Sequence, residues 1–194
     1  MVASRGLREA FLAFRQQSIW LRTCFNTFDA LFQQEHRPKD LLHRTAPLFF
    51  DELNNVLLEY CRLQACKLTD PAESRGDESL TVCNLNGHLQ REGLYTQAIE
   101  GAAAGLMRYR DLVKRARNKV IAHLDKKAVL ANQPIGAHSE QDVIDFLDAL
   151  QTYNDEVSGA VGEVPLDFTG TSGAGDVWDL LKFLRAGLES TAAE

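Results

Sequence analysis

Residues 5–32 read RGLREAFLAFRQQSIWLRTCFNTFDALF, and this stretch decides the fold. Apolar side chains recur in it at alternating steps of four and three residues, with one polar residue in the series. Such spacing keeps side chains on one face of an α-helix, here through about seven turns. The stretch therefore predicts a long helix that buries one face, formed by Leu7, Phe11, Phe14, Ser18, Leu21, Phe25, Phe28 and Phe32.

Similar helical periodicity continues along the chain, separated by turn-forming residues rather than by strand-like alternation. After the first helix, the predicted helices run from near Thr45 to Asp70, from 79 to 90, from 96 to about 128, from Ser139 to about 158, and from 176 to 190 after a loop at 159–175. We expect Leu80, Leu85 and Leu89 of the helix at 79–90 to face inward. Gly101 and Gly105 are possible kinks in the helix that begins at 96.

We expect the second helix to bury Phe49 or Phe50, Leu53, Val56 or Leu57, Tyr60 and Leu63. Ser139 and Asp176 are predicted N-caps, because each precedes a helical pattern and can accept hydrogen bonds from its first turn. Together the helices predict an all-α bundle of five to six helices, in a single domain over residues 1–194.

Composition indicates an ordinary globular chain. It has 194 residues, is 45% hydrophobic and 25% charged, and carries a net charge of -6. These values exclude a disordered chain, and no apolar run is long enough to span a bilayer. No secretory signal begins the sequence, and the four cysteines lack metal-site spacing. We therefore expect a cytoplasmic protein with reduced thiols, no membrane association, no cofactor and no metal.

The most basic segment lies inside this acidic chain. Residues 108–127 carry eight Lys or Arg and two Asp, and they include Arg117-Asn118-(x4)-His123. An arginine can hold phosphate charge but cannot act as a base, whereas a histidine can move a proton near neutral pH. This pair suits metal-independent RNA cleavage, in which His123 activates a ribose 2′-hydroxyl, Arg117 stabilises the phosphate and Asn118 orients either partner.

A helical wheel sets limits on this pair. At about 100° per residue, Arg117 and His123 lie on opposite borders of an apolar stripe and are separated by about 120°. Packing of two copies along the stripe would bring the arginine of one chain toward the histidine of the other, so the pattern suggests a homodimer. The stripe consists of Leu106, Tyr109, Val113, Ala116, Val120 and Leu124, and the cations expected to guide RNA are Arg108, Arg115, Lys119 and Lys126.

Two other interpretations fit the same residues. The basic helix can be a solvated face, with Arg117 paired to a carboxylate and His123 bonded to the backbone. It can also serve a module without catalytic activity that binds RNA, a nucleotide or a partner protein, or an adaptor that binds an acidic protein. The remaining histidines show no metal-ligand spacing, and the glycine-rich segment at 170–175 is interpreted as a connection.

The arrangement Arg117-Asn118-(x4)-His123 resembles the RX4-6H motif of HEPN domains. The string from Arg117 to Lys126 is similar to the abortive-infection (AbiU-like) branch of that superfamily, and residues 68–72 with 80–82 are similar to a second block of that branch. The resemblance covers roughly residues 45–155. Asn118 stands where this branch often has Asp, so a role that needs a carboxylate there is in doubt.

This resemblance implies a compact helical bundle that commonly dimerises. Many HEPN members are metal-independent endoribonucleases of toxin–antitoxin, phage-defence or CRISPR systems, so it also implies RNA as the substrate and a possible cognate antitoxin protein. Residue by residue, it assigns Arg117 and His123 as the catalytic pair and Asn118 as the polar helper. Some HEPN domains are not nucleases, which keeps the non-catalytic interpretation open.

Overall fold

The computed structural model describes residues 3–33, 39–74, 76–116, 138–170 and 173–191. Seven helices and one hairpin of two-residue strands occur in these ranges, so the all-α prediction is confirmed. The helices are α1 Arg5–Phe32, α2 Lys39–Thr45, α3 Pro47–Thr69, α4 Val82–Arg91, α5 Gln97–Ala116, α6 Glu140–Val161 and α7 Val177–Thr191. The hairpin pairs β1 Glu73–Ser74 with β2 Asp77–Glu78.

The chain divides into two compact units. One comprises Met1–Leu21 and Arg62–Thr169, and the other comprises Arg22–Cys61 and Gly170–Glu194. A single domain over residues 1–194 stays a prediction. No helix within the described ranges has both the length and the apolar character needed to cross a membrane.

In the first unit, the beginning of α1, helix α4 and helix α5 all contact α6. Phe14 meets Tyr153 edge-on at 5.7 Å between ring centroids, and the Tyr153 hydroxyl donates to Asn86 Oδ1 at 2.9 Å. This bond satisfies the polar atom of an otherwise buried aromatic ring. The alternating spacing of α1 is confirmed here, because its predicted inner face is buried at Leu7, Phe11, Phe14, Ser18 and Leu21.

Polar contacts fix the start of α1 and both ends of α6 within this unit. The Ser4 hydroxyl accepts from the Leu7 amide, and the Ser4 amide donates to Glu92 at 2.7 Å. Arg8 forms an ion pair with Glu163, just after α6. The predicted cap at Ser139 is confirmed as a capping box with Asp142.

The second unit has its own smaller core. Leu181 of α7 is buried with residues from the end of α1, from α2 and from the beginning of α3. Asp176 caps α7 as predicted, since its Oδ1 accepts from the Trp178 amide at 2.9 Å. The buried cluster consists of Leu31, Leu41, Leu42, Phe50 and Leu181.

The structure corrects the predicted helix pattern at three places. Helix α2 was not predicted, whereas α3 begins at Pro47, close to the predicted start near Thr45. Leu80 is 37% exposed because it precedes Thr81, the residue that caps α4. Of the alternatives left open in α3, Phe50 and Leu57 lie on the inner line with Cys61 and Ala65, and Phe49 and Val56 face outward. Gly159 is helical, and the left-handed Gly162 ends α6 instead.

Candidate functional site

Helix α5 carries the first part of the basic segment, residues 108–116, and is held closely against α6. A Cβ on Gly105 would lie 2.8 Å from the Ala149 Cβ, so the absence of a side chain lets the two helices approach. The Tyr109 and Phe146 rings stack at 4.6 Å with an angle of 31°. Gly105 is therefore a packing position, and α5 is continuous through it from Gln97 to Ala116.

The described part of the predicted apolar stripe is buried within the same chain, where Tyr109 packs against Phe146 of α6. Leu106, Tyr109 and Val113 are all buried in this unit. These residues are consequently occupied within one chain and are not a free seam for a second copy. A homodimer, which stays a prediction, would have to meet along another surface or along residues outside the described ranges.

Most of the predicted site residues lie outside the described residues. Arg117, Asn118, Lys119, His123 and Lys126 all fall in residues 117–137. Arg115 belongs to α5, but its side chain is not described. Arg108 alone among the predicted site residues has a described side chain.

Arg108 borders an acidic groove between α5 and α6. The groove encloses about 350 Å³, and its walls include Arg108, Asp111, Asp142 and Asp145. The Arg108 side chain is exposed and forms no ion pair with a described residue. Three carboxylates and one guanidinium give the groove lining a net negative charge, which disfavours an RNA backbone.

The carboxylate of Asp142 is already committed to the helix cap. It accepts from the Ser139 amide and hydroxyl, and these two hydrogen bonds lower the pKa of Asp142. His138, the residue before the Ser139 cap, meets the Tyr109 ring edge-on with 5.4 Å between the ring centroids. The His138 side chain is thus half-buried just before α6, which agrees with its interpretation as a loop residue.

The other border of α5 carries a cation that the sequence interpretation passed over. The Arg110 side chain is only 14% exposed, and its Nη2 lies 3.8 Å from Asp70 Oδ1 at the end of α3. Its Nη1 lies 3.9 Å from Asp111 Oδ1. Arg110 precedes Arg117 by seven residues, which at about 100° per residue puts both on one border of the helix predicted from sequence.

The two borders of α5 therefore have different neighbours. Gly105 and Leu112 share the border predicted for His123, and they line the groove beside α6. Arg110 shares the border predicted for Arg117, and it faces Asp70, the residue after α3. Asp70 belongs to the second block of the HEPN resemblance, but nothing in the sequence signalled this contact.

The remaining described residues include a groove of about 470 Å³ whose lining contains Asp40, His43 and Asp51. The described residues contain no group of three or more His, Cys, Asp or Glu that could hold a metal ion. All four cysteines are thiols rather than disulfides, and Cys24, Cys61 and Cys66 are buried. The indoles of Trp20 and Trp178 are about half exposed, at 51% and 43%.

Comparison with protein families decides the relationship. Residues 5–180 match the family model HEPN_AbiU2, described as AbiU2. The chain belongs to this HEPN family. The match includes α1 through α6 and the Arg117–His123 motif, and it is wider than the two blocks that suggested it. No curated protein and no solved structure gave a match.

The family match covers most of the described helices of this HEPN protein. The match ends at residue 180, near the start of α7, so most of that helix lies beyond the matched region. The α5–α6 pair and the Asp70–Arg110 contact lie wholly inside it. The family relationship thus covers the described surroundings of the motif.

Proposed function

We propose that this HEPN protein is a metal-independent endoribonuclease whose catalytic residues are Arg117 and His123. The observation that carries the proposal is the family match over residues 5–180, which includes an Arg and a His at RX4-6H spacing. An arginine and a histidine together supply charge stabilisation and proton transfer, which are the two needs of a 2′-hydroxyl attack on phosphate.

The proposed reaction needs no metal ion. Neutral His123 accepts the proton of a ribose 2′-hydroxyl, and the 2′-oxygen attacks the adjacent phosphorus. The bond from phosphorus to the 5′-oxygen breaks, which leaves a 2′,3′-cyclic phosphate and a 5′-hydroxyl. A protonated histidine from a second copy would supply the leaving oxygen with its proton. Arg117 binds the developing charge, and Asn118 orients the phosphate or the imidazole.

The proposed biological setting follows from the HEPN family. We place this protein in toxin or phage defence, acting in the cytoplasm as a homodimer, with an antitoxin protein as a possible partner. Arg115, Lys119 and Lys126 are proposed to bind the RNA backbone. Arg108 is left out of this set, because its groove contains three carboxylates.

Cleavage of labelled RNA in excess EDTA tests the proposal. Wild-type protein should cut single-stranded RNA and leave the matching DNA intact, because DNA lacks the attacking hydroxyl. His123→Ala and Arg117→Ala, purified in the same way, should each lose cleavage. Equal cleavage by wild type and His123→Ala would identify a contaminating nuclease and refute the assignment.

A second candidate function is a non-catalytic HEPN module that binds RNA, a nucleotide or a partner protein. One structural observation favours it. The described part of the α5 stripe is buried against α6, so it cannot bring the two predicted catalytic residues together across a pair of chains. RNA binding without cleavage by the wild-type chain would select this function.

A further inference from the structure

We propose that two copies of this chain meet through their second units, with α3 of one copy packed against α7 of the other. The inference rests on the homodimer of the proposed function and names the surface that joins the two chains. The family match does not assign this surface, because it ends at residue 180 and most of α7 lies beyond it. The faces concerned, residues 47–61 of α3 and helix α7, both belong to the second unit.

Both helices expose large apolar side chains. In the first part of α3, Leu48, Phe49 and Val56 are 72%, 57% and 61% exposed. In α7, Phe183 is 77% exposed and Trp178 is 43% exposed. Side chains of this size gathered in water are typical of a surface that another molecule covers, and aromatic rings are enriched in protein interfaces.

The exposed side chains of α3 form one face of the helix. At about 100° per residue, Leu48, Phe49 and Val56 fall within an arc of about 100°, and the buried Phe50 lies outside this arc. The Phe49 ring meets the Phe50 ring edge-on, with 5.2 Å between the centroids, so it is packed in place in the free chain. A face that is already ordered loses little side-chain freedom when a partner covers it.

This α3 face is acidic. Glu52 and Glu59 follow Leu48 by four and eleven residues, so they lie within the same face, and both are exposed. Neither forms an ion pair with a described residue. Residues 47–61 contain no Lys, Arg or His that could neutralise them within the helix. Positive charge on a partner would therefore favour its binding to this face.

Helix α7 presents the complementary charges. Lys182 and Arg185 follow Trp178 by four and seven residues, so the three side chains share one face of the helix. Arg185 is exposed and forms no ion pair with a described residue, and Lys182 stays 72% exposed although its Nζ donates to Asp179 at 3.1 Å. Asp179 also accepts from a backbone amide at the start of the helix, and Glu189 lies one turn beyond Arg185. The middle of α7 thus carries two cations beside an exposed indole.

A second copy of the chain fits both faces. Two acidic α3 faces repel each other, and two basic α7 faces do likewise. Packing of α3 against α7 instead brings opposite charges together and removes apolar side chains of both helices from water. A two-fold axis forms this contact twice, because α7 of the first copy meets α3 of the second in the same way. Each exposed face is then covered.

Sedimentation equilibrium of charge-reversed variants tests the contact. Glu52→Lys with Glu59→Lys puts cations opposite the cations of α7, and Lys182→Glu with Arg185→Glu puts carboxylates opposite those of α3. Each of these double variants should raise the dissociation constant of the dimer on the order of a hundredfold, because the charge pairs of both contacts become repulsive. An equimolar mixture of the two double variants should dimerise about as tightly as wild type, since opposite charges then face each other at both contacts.

Glu100→Lys with Asp148→Lys is the matched control. It makes the same change in net charge at two exposed carboxylates of the first unit, so it should leave the dissociation constant unchanged. Phe183→Ser removes an exposed ring and should weaken the dimer on the order of tenfold or more without lowering thermal stability. Melting followed by circular dichroism shows that each variant is folded. An unchanged dissociation constant in either folded double variant, an equal loss in the control, or a mixture that stays monomeric overturns the inference.

The outcomes separate this contact from the rest of the proposed function. A wild-type dimer that persists in both double variants refutes the contact and leaves the homodimer standing. A wild-type chain that sediments as a monomer at every concentration refutes both. RNA cleavage in excess EDTA is measured separately, and its absence refutes the nuclease while the dissociation constants still decide the contact.

Discussion

Because α5 and α6 are in close contact, we expect replacement by alanine to have different effects on stability at two glycines of α5. Replacement of Gly101 by Ala adds a methyl group that meets nothing within 4 Å. The same change at Gly105 puts a methyl group 2.8 Å from the Ala149 Cβ. Both positions are helical, so each variant gains the same helix propensity, about 1 kcal/mol for Gly to Ala.

The difference between the variants measures the helix contact. Gly101→Ala should raise the free energy of unfolding by about 1 kcal/mol. At Gly105 the contacting atom is a Cβ fixed to the α6 backbone, so the helices must move apart, and overpacking of this kind costs about 1–3 kcal/mol. Gly105→Ala should therefore range from neutral to about 2 kcal/mol destabilising, since the propensity gain partly offsets the clash.

Urea denaturation followed by circular dichroism gives both values. The two variants should share the wild-type m-value and differ in midpoint. Ala149→Gly in the Gly105→Ala background removes the clashing methyl group, so it should be less harmful there than in the wild-type chain. A Gly105→Ala protein as stable as Gly101→Ala would refute the close approach of α5 and α6.

Three further predictions concern caps, hydrogen bonds and pH. Ser139→Ala removes the N-cap of α6 and should cost about 1 kcal/mol in urea denaturation, whereas no loss would contradict the capping box. Tyr153→Phe deletes the hydroxyl that donates to Asn86 and should cost about 1 kcal/mol, with the far-ultraviolet spectrum unchanged. Burial raises the pKa of the Cys61 thiol to about 12 from 9.0. Because the thiol has a higher pKa in the folded chain than in the unfolded one, its contribution to the unfolding free energy is complete below pH 9.0 and is lost as pH rises toward about 12. The unfolding free energy should therefore decline over that pH range, and Cys61→Ala should flatten the decline. A decline of equal steepness in both proteins would rule out this role for the thiol.

The long helices were predictable because their sequence signals are local. Helix α1 repeats apolar residues over many turns, and α6 begins with the Ser139 and Asp142 pair that forms its capping box. Helix α2 has only seven residues, KDLLHRT, and two adjacent leucines cannot display a helical period. Its formation depends on the burial of Leu41 and Leu42 in a tertiary cluster.

Doublets of apolar residues explain why the inner face of α3 stayed open in the sequence analysis. Phe49 and Phe50 are equally apolar, and a pattern cannot decide which of the two turns inward. The choice depends on Cys61 and Ala65 farther along, which continue the line of Phe50 and are both buried. Small residues give a weak hydrophobic signal, so their role in the core emerged only from the packing.

Only the packing around the candidate site can be compared with the prediction, because Arg117 and His123 lie outside the described residues and stay a prediction. The wheel correctly assigned Leu106, Tyr109 and Val113 to a buried stripe. The partners of α5 are tertiary contacts with no period in the sequence. The acidic lining around Arg108, and the approach of Asp70 to Arg110, therefore could not be derived from the chain alone.

The tie between Ser4 and Glu92 has a practical consequence for making this protein. The Ser4 amide and hydroxyl both donate to that carboxylate, and the two bonds lower the pKa of Glu92. A rigid or acidic linker fused on the amino-terminal side of Ser4 would compete for the same donors. A tag on that side should therefore be joined through a flexible, uncharged spacer.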